Sequence, residues 1–124
     1  DARASARMCG ATHYSAAVSV TWNDDLADAA YKHSADMATN HFFSHTGSDG
    51  SSPATRISQE GYPWSALGEN IAYGYPTVEE VIQGWLGSEG HCQNIMSPMF
   101  TEIGAAIAGN TNVPYWTLDL AKPG

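Results

Sequence analysis

The spacing of apolar residues predicts three helices in the first two thirds of the chain. After Asn23, a residue type that caps helices, come two acidic residues and then apolar residues at helical spacing, which predicts a helix over Asp24–Thr39. A capping box opens a further helix over residues 77–87. A proline at the first helical position predicts a short helix over residues 52–61, which ends at a glycine.

Short apolar runs predict strands in the last third of the chain. Ile103–Ala108 and Tyr115–Leu120 are bounded by Gly, Asn and Pro, so we interpret them as two strands joined by a turn and paired antiparallel. Ile71–Tyr73, within an irregular or extended stretch, is the candidate third strand. Residues 3–17 are rich in alanine and favour partial helix, although Gly10 counts against it. Helices first and strands last predict an α+β arrangement.

Length and composition are those of one folded domain with a negative surface. The 124 residues are 43% hydrophobic and 15% charged, which is typical of globular proteins and not of disordered ones. Five basic against thirteen acidic residues give a net charge of −8, which disfavours nucleic acid and anionic lipid surfaces and favours cations. No window reaches the roughly 20 apolar residues of a spanning helix. Because the first residues lack the apolar stretch of a secretory signal, we expect either a cytosolic protein or a mature form whose leader is removed.

The two cysteines, Cys9 and Cys92, allow one internal disulfide. Neither belongs to a Cys-x-x-Cys pair or to a Cys/His spacing typical of zinc sites. A bond between them would close a loop of about 80 residues, worth on the order of 4 kcal/mol in the chain-entropy model. Two buried free thiols are an equally good interpretation of the composition alone.

Candidate chemistry is concentrated in two histidines and two carboxylates in predicted loops. In chain order these are His45, Glu69, Glu89 and His91. Bringing such groups together from separate loops is costly unless they bind something or share protons. The alternative is that Glu69 accepts hydrogen bonds from loop amides while His45 and His91 are solvated. His33, on the apolar stripe of the first helix, is interpreted as a structural histidine.

Several sharper motifs do not occur in the sequence. It holds no His-Glu-x-x-His zinc-peptidase motif, no phosphate-binding loop and no dinucleotide fingerprint. Ser88 lacks the first glycine of a nucleophile elbow, and the segment from Gly47 to Gly50 is too short for a calcium loop. No assignment to these classes of site is supported.

An ordered series of motifs runs from about Trp22 to Leu120. It consists of Phe42-Phe43-Ser44-His45, Gly50, Arg56-Ile57, Gly61-Tyr62, Gly68-Glu69-Asn70-Ile71-Ala72-Tyr73-Gly74, Trp85-Leu86-Gly87-Ser88-Glu89-Gly90-His91, Asn94-Ile95-Met96, Phe100 through Gly104, and Tyr115-Trp116-Thr117. Together these motifs resemble the CAP superfamily, which comprises cysteine-rich secretory proteins, venom antigens and plant pathogenesis-related proteins. The resemblance is to the bacterial secreted form of the family.

The resemblance implies a single CAP (SCP-like) domain over residues 1–124. The fold expected from it is an α-β-α sandwich of the α+β class, with a central, mainly antiparallel three-stranded sheet flanked by helices. It also implies a secreted protein, extracellular or periplasmic, in a mature form without signal peptide. In a secreted protein a Cys9–Cys92 disulfide is favoured over free thiols. We expect a monomer with no nucleic-acid partner and no transmembrane segment.

Family members carry a cleft lined by two histidines and two acidic residues. His45, Glu69 and His91 match that pattern position by position. In the eukaryotic members the second acid falls three residues after the helix tryptophan, a position that is Ser88 here. We therefore expect Glu89, one position later, to take the place of the second acid.

Three functions are open at this point. The favoured one is a secreted binding module whose cleft holds a divalent cation, with zinc as the expected ion, or a small ligand; the candidate metal ligands are His45, His91, Glu69 and Glu89. The second is a peptidase-like hydrolase in which a histidine of this set activates water and a carboxylate orients or protonates. The third is an extracellular module that binds a lipid, a sterol or a protein through loop aromatic residues, namely Tyr62, Trp64, Tyr73 and Tyr75.

Overall fold

A four-stranded sheet lies between two layers of helices in the computed structural model, which describes residues 2–109 and 112–124. The helices are α1 (Asp24–Asn40), α2 (Pro53–Gln59), α3 (Val78–Leu86) and α4 (Glu89–Met96). The strands are β1 (Arg7–Cys9), β2 (Thr12–Tyr14), β3 (Thr21–Trp22), β4 (Trp64–Tyr73), β5 (Glu102–Gly109) and β6 (Pro114–Pro123). Helices α1 and α2 pack on one face of the sheet, and α3 and α4 pack on the other. The predicted α-β-α layering is confirmed.

The sheet has the strand order β3-β5-β6-β4 and mixed pairing. β6 pairs antiparallel with β4 and with β5, so the three strands predicted from the sequence are present. The expectation of a three-stranded sheet is wrong, because β3 adds a fourth strand that runs parallel to β5. A strand of two residues carries too little alternation to be recognised in a sequence, and its partner strand is distant along the chain.

Local side-chain caps fix where three helices begin. Asn23, Ser52 and Thr77 each accept a hydrogen bond from the backbone N–H three residues later, at 3.1–3.2 Å. Helix α1 ends at Asn40 because His41 adopts a left-handed φ of 55°. These helix starts depend on neighbouring residues alone, which is why the sequence predicts them.

Helix α1 lies so close to β5 that a side chain at Gly104 would collide with its backbone. A Cβ at this glycine would overlap the backbone nitrogen of Ala27. Further along α1, the Ser34 hydroxyl lies 2.7 Å from the Thr117 hydroxyl of β6. The close approach therefore covers the face of the sheet on which β6 carries Thr117 and, two residues later, Asp119.

The N-terminal segment forms a β-hairpin, so the expectation of partial helix over residues 3–17 is wrong apart from a 3₁₀ turn over Ala2–Ala4. Strands β1 and β2 pair antiparallel around Gly10, whose φ of +61° suits a tight turn. Cys9, at the end of β1, forms a disulfide with Cys92 of α4, which confirms the pairing that the family resemblance favours. Pairing and the covalent bond outweigh a helix propensity that is weak over so few residues.

Helix α4 occupies a segment that the sequence predicts to be a loop. Glycines at positions 87 and 90 suggest a loop, yet the chain turns at Ser88 and starts a helix at Glu89, which puts His91 in its first turn. Burial of Cys92 and Ile95 against the sheet supports this helix. Glu69, also expected in a loop, lies inside β4.

In the residues that the structure describes, no helix has both the length and the apolar content needed to cross a membrane.

Candidate functional site

The centre of the candidate site is Glu69, a buried carboxylate on β4. Its two oxygens accept hydrogen bonds from Nη2 of Arg56, at 3.0 and 2.9 Å. Burial alone would raise the pKa of Glu69, but the hydrogen bond from His45, the neighbouring Asp119 and the charge of Arg56 outweigh it and lower the pKa to about 2. Glu69 is therefore an anion at neutral pH, and its lone pairs are engaged by residues of the chain itself.

His45 is held by this carboxylate while part of its ring faces solvent. Nδ1 of His45 lies 2.9 Å from Oε1 of Glu69, and its side chain is 49% exposed. Because an ionised carboxylate can only accept, Nδ1 carries the hydrogen and donates it. The neutral ring then has its lone pair on Nε2, which makes this nitrogen the basic atom of the site.

Two buried side chains fix the backbone of the loop that carries His45. Nη1 of Arg56 donates to the carbonyl oxygen of His45 at 3.0 Å. Nε2 of His33 donates to the carbonyl oxygen of Ser44 at 2.7 Å. His33 is 0% exposed, and burial lowers its pKa, so it serves this loop as a neutral donor. The interpretation of His33 as a structural histidine agrees with these contacts.

His91 reaches the same region from the opposite layer of the fold. It is half-buried in the first turn of α4, and burial followed by the charge of His45 lowers its pKa. Asn70, next to Glu69 on β4 but on the other face of the sheet, donates to the His91 carbonyl oxygen at 3.1 Å. Asn94 donates to Oδ1 of Asn70 at 2.9 Å and completes a neutral network. β4 thus supports the ring of His45 through Glu69 on one face and the backbone of His91 through Asn70 on the other.

Glu89 points toward the N-terminal hairpin. Its side chain is exposed, and its Cδ lies 2.6 Å from where a Cβ on Gly10 would be. The acidic residue that the structure places beside Glu69 is Asp119, its direct partner across β4 and β6. Within residues 2–109 and 112–124, no three His, Cys, Asp or Glu side chains are grouped so as to hold a metal ion. Metal ligation by His45, Glu69, Glu89 and His91 stays a prediction.

Sequence reasoning missed three residues that build the site, namely His33 as a loop anchor, Arg56 and Asp119. A signal for Asp119 was present, because it interrupts the apolar pattern of a predicted strand between two leucines. A charged residue at such a position has to find a partner inside the fold. The partner depends on strand register, which the sequence does not reveal.

The four aromatic residues expected in loops differ in exposure. The buried Tyr62 donates its hydroxyl to Glu102 at 2.6 Å, and the Tyr75 ring packs against Gly84. Tyr73 is 53% exposed and forms an edge contact with Phe43 at 5.0 Å between ring centroids. Trp64 is 38% exposed, so Tyr62 and Tyr75 pack within the protein whereas Trp64 and Tyr73 are exposed.

This chain is similar in sequence to one protein family and to two bacterial proteins. The family model of the Cysteine-rich secretory protein family, CAP, matches residues 5–120. The chain is 36% identical over 95 residues to the uncharacterized protein YkwD of Bacillus subtilis (strain 168), an alignment that covers 77% of this chain and 36% of YkwD. It is 34% identical over 86 residues to the uncharacterized membrane protein YlbC of the same organism, covering 69% of this chain and 25% of YlbC. The chain thus spans about a third of the length of YkwD and about a quarter of the length of YlbC.

Solved structures show the same fold. An extracellular protein containing a SCP domain from Bacillus anthracis str. Ames superimposes with a TM-score of 0.77 at 29% identity, covering 86% of this chain and 34% of that one. An outer surface protein from Borrelia burgdorferi superimposes with a TM-score of 0.80 at 20% identity, covering 87% of this chain and 80% of that one. Since the family model spans nearly all of the chain, this protein belongs to the CAP family of cysteine-rich secretory proteins.

Proposed function

We propose that this chain is an exported CAP domain that binds a divalent cation, preferably Zn²⁺, through the imidazoles of His45 and His91. The observation that carries the proposal is the 2.9 Å hydrogen bond from Nδ1 of His45 to Glu69, which leaves the Nε2 lone pair available. A carboxylate behind a histidine is the usual arrangement at zinc sites, where it fixes the tautomer and raises the basicity of the ligand. The net charge of −8 also favours a cationic guest.

The donor set fits two histidine ligands rather than the four ligands predicted from the sequence. Both oxygens of Glu69 accept from Arg56, so we assign Glu69 the role of orienting His45. Glu89 lies beside Gly10, so we assign it no role at the cation. When bound, zinc would supply a Lewis acid, with water or a small exogenous ligand in its remaining positions. A solved protein of the same fold, NaASP2, has been crystallised with Zn²⁺.

Export is part of the same proposal. The Cys9–Cys92 disulfide is of the kind that persists in oxidising compartments. The similar Bacillus anthracis protein is described as extracellular. We infer an extracellular or periplasmic location for this chain as well.

Calorimetric titration of ZnCl₂ into the full chain tests the proposal. We expect binding heat for the wild type, a loss of at least about 10-fold in affinity for His45→Ala and for His91→Ala, and a loss of about 10–100-fold for Glu69→Gln. His13→Ala, which removes an exposed histidine from β2, is the matched control and should bind as the wild type does. Absence of heat for the wild type, or equal affinity in the His45→Ala/His91→Ala double variant, would refute cation binding.

The same His45–Glu69 pair favours a second candidate function, a hydrolase in which Nε2 of His45 removes a proton from water. Peptide, ester and cell-wall substrates would be screened with wild type and the double histidine variant, with and without added ZnCl₂. Turnover that disappears in the double variant would favour hydrolysis, and turnover that survives it would assign the activity to a contaminant.

A further inference from the structure

Asp119 is a fully buried carboxyl group that the proposed cation site does not use. It lies on β6 directly opposite Glu69 of β4 and is 0% exposed. Directly opposite residues of β4 and β6 alternate between hydrogen-bonded and non-hydrogen-bonded pairs. Gly74 and Pro114 are opposite each other and hydrogen-bonded, because the Gly74 N–H donates to the Pro114 carbonyl. Glu69 and Asp119 lie five positions further along the ladder and therefore form a non-hydrogen-bonded pair. Side chains approach each other most closely in such pairs. The two carboxyl groups therefore face each other on the side of the sheet that α1 covers.

The surroundings supply too little positive charge for two carboxylates. The ionisable groups here are Glu69 from β4, Arg56 from α2, His33 from α1 and His45 from the loop after α1; β5 contributes Gly104 opposite Asp119. Arg56 is committed to Glu69, while His33 donates to the carbonyl of Ser44. Neither oxygen of Asp119 has a donor among the described residues. A second buried anion without a partner would be strongly unfavourable.

We propose that Asp119 is a neutral carboxylic acid that donates a hydrogen bond to Glu69 and thereby acts as a positioning residue for His45. One proton shared by the two carboxyl groups leaves a single negative charge for Arg56 to balance. Glu69 is then held by Asp119 from β6 and by Arg56 from α2, which keeps Oε1 directed at Nδ1 of His45. The expected effect on zinc affinity rests on the proposed function, whereas the expected protonation of Asp119 and the expected tautomer of His45 do not.

The pKa direction of each partner agrees with this arrangement. Burial and then the charge of Glu69 raise the pKa of Asp119 well above its usual value, while Arg56 acts in the opposite direction. The pKa of Glu69 is lowered to about 2 despite its burial. The two acids of the pair are thus driven to opposite protonation states.

The proton is tested directly on the full chain labelled with ¹³C at the aspartate carboxyl carbons. We expect one aspartate to keep the chemical shift of a protonated acid at pH 7, and we expect that signal to disappear in Asp119→Asn. Asp28→Asn, which changes an exposed aspartate of α1, is the matched control and should retain it. If every aspartate signal is ionised at pH 7, or the protonated signal survives Asp119→Asn, the proposal is wrong.

The positioning role is tested by ¹⁵N NMR of the His45 ring and by titration with ZnCl₂. Asp119→Asn keeps a donor toward Glu69, so we expect the Nδ1–H tautomer and a zinc affinity within about 2-fold of wild type. Asp119→Leu removes the donor at similar volume, and we expect a mixture of tautomers and an affinity loss of about 10-fold. An unchanged His45 tautomer in a folded Asp119→Leu variant would refute the positioning role. If the leucine variant does not fold, Asp119→Asn provides the test, and loss of the Nδ1–H tautomer in that variant would refute the role. If the wild type binds no zinc but Asp119→Leu still changes the His45 tautomer, the proposed function is refuted and the positioning role of Asp119 is supported.

Discussion

The two faces of β4 hold their histidines by different physical means. Toward α1 and α2, His45 is held through its ring by Glu69, a charged group that is itself held by Arg56. Toward α3 and α4, His91 is held through its backbone carbonyl by the neutral amide of Asn70. The charged side fixes a tautomer and a ring orientation, whereas the neutral side fixes the position of a helix turn.

The largest effect should come from removing the cation of the charged side. Arg56→Ala leaves the Glu69–Asp119 pair buried with no counterion, so we expect a loss of about 3–5 kcal/mol in the free energy of unfolding. Urea denaturation measures it. Lys32→Ala, which breaks the exposed ion pair with Glu60, is the control and should cost less than about 1 kcal/mol. Equal losses in the two variants would contradict the importance assigned to the buried charge.

A smaller effect is expected on the neutral side. Asn70→Ala removes the donor to the His91 carbonyl and the acceptor of the Asn94 amide, so we expect a loss of about 2 kcal/mol in urea denaturation. Asn40→Ala, at the exposed end of α1, is the matched control and should change stability by less than about 0.5 kcal/mol. The His45 tautomer should be unchanged in Asn70→Ala, and a changed tautomer would show that the two faces are not independent.

The pH dependence of stability tests the protonation state of Asp119 on the charged face. Because the pKa of Asp119 is raised in the folded state, the unfolded chain loses this proton first as pH rises above about 3.8, and the contribution of Asp119 to stability falls over that range. Asp119→Asn lacks this loss, so its stability relative to wild type should rise with pH above about pH 4, with a slope of at most about 1.4 kcal/mol per pH unit. Denaturation midpoints at successive pH values measure the difference. Asp28→Asn should follow the wild type, and parallel curves for Asp119→Asn would contradict a raised pKa.

Sequence reasoning predicted the parts of the fold that depend on neighbouring residues. The caps at Asn23, Ser52 and Thr77 lie three residues from the amides they bind, so they can be recognised in the sequence. The N-terminal hairpin and α4 were missed because their stability comes from the disulfide and from burial against the sheet. Local propensity is too weak to decide such segments.

The residues of the candidate site likewise divide into those that sequence motifs indicate and those that come together only through the fold. His45, Glu69 and His91 were identified through the motifs of the family, and the structure adds the hydrogen bond that connects the first two. Asp119 and Glu69 are neighbours because of the register of β4 and β6, and Arg56 reaches Glu69 from a third element. Glu89 was chosen from its place in the sequence, one position after the family's acidic residue, and a one-residue shift in a helix turns a side chain by about 100°.

The disulfide ends one residue after His91, and this adjacency affects how the protein is best prepared. Cys92 ties the first turn of α4 to the N-terminal hairpin, while His45 and Glu69 have no covalent link of this kind. Material made in a reducing cytoplasm would therefore retain the charged half of the site and hold the other half less firmly. Expression with export to an oxidising compartment, or refolding with a redox couple, is the appropriate starting point for any binding measurement.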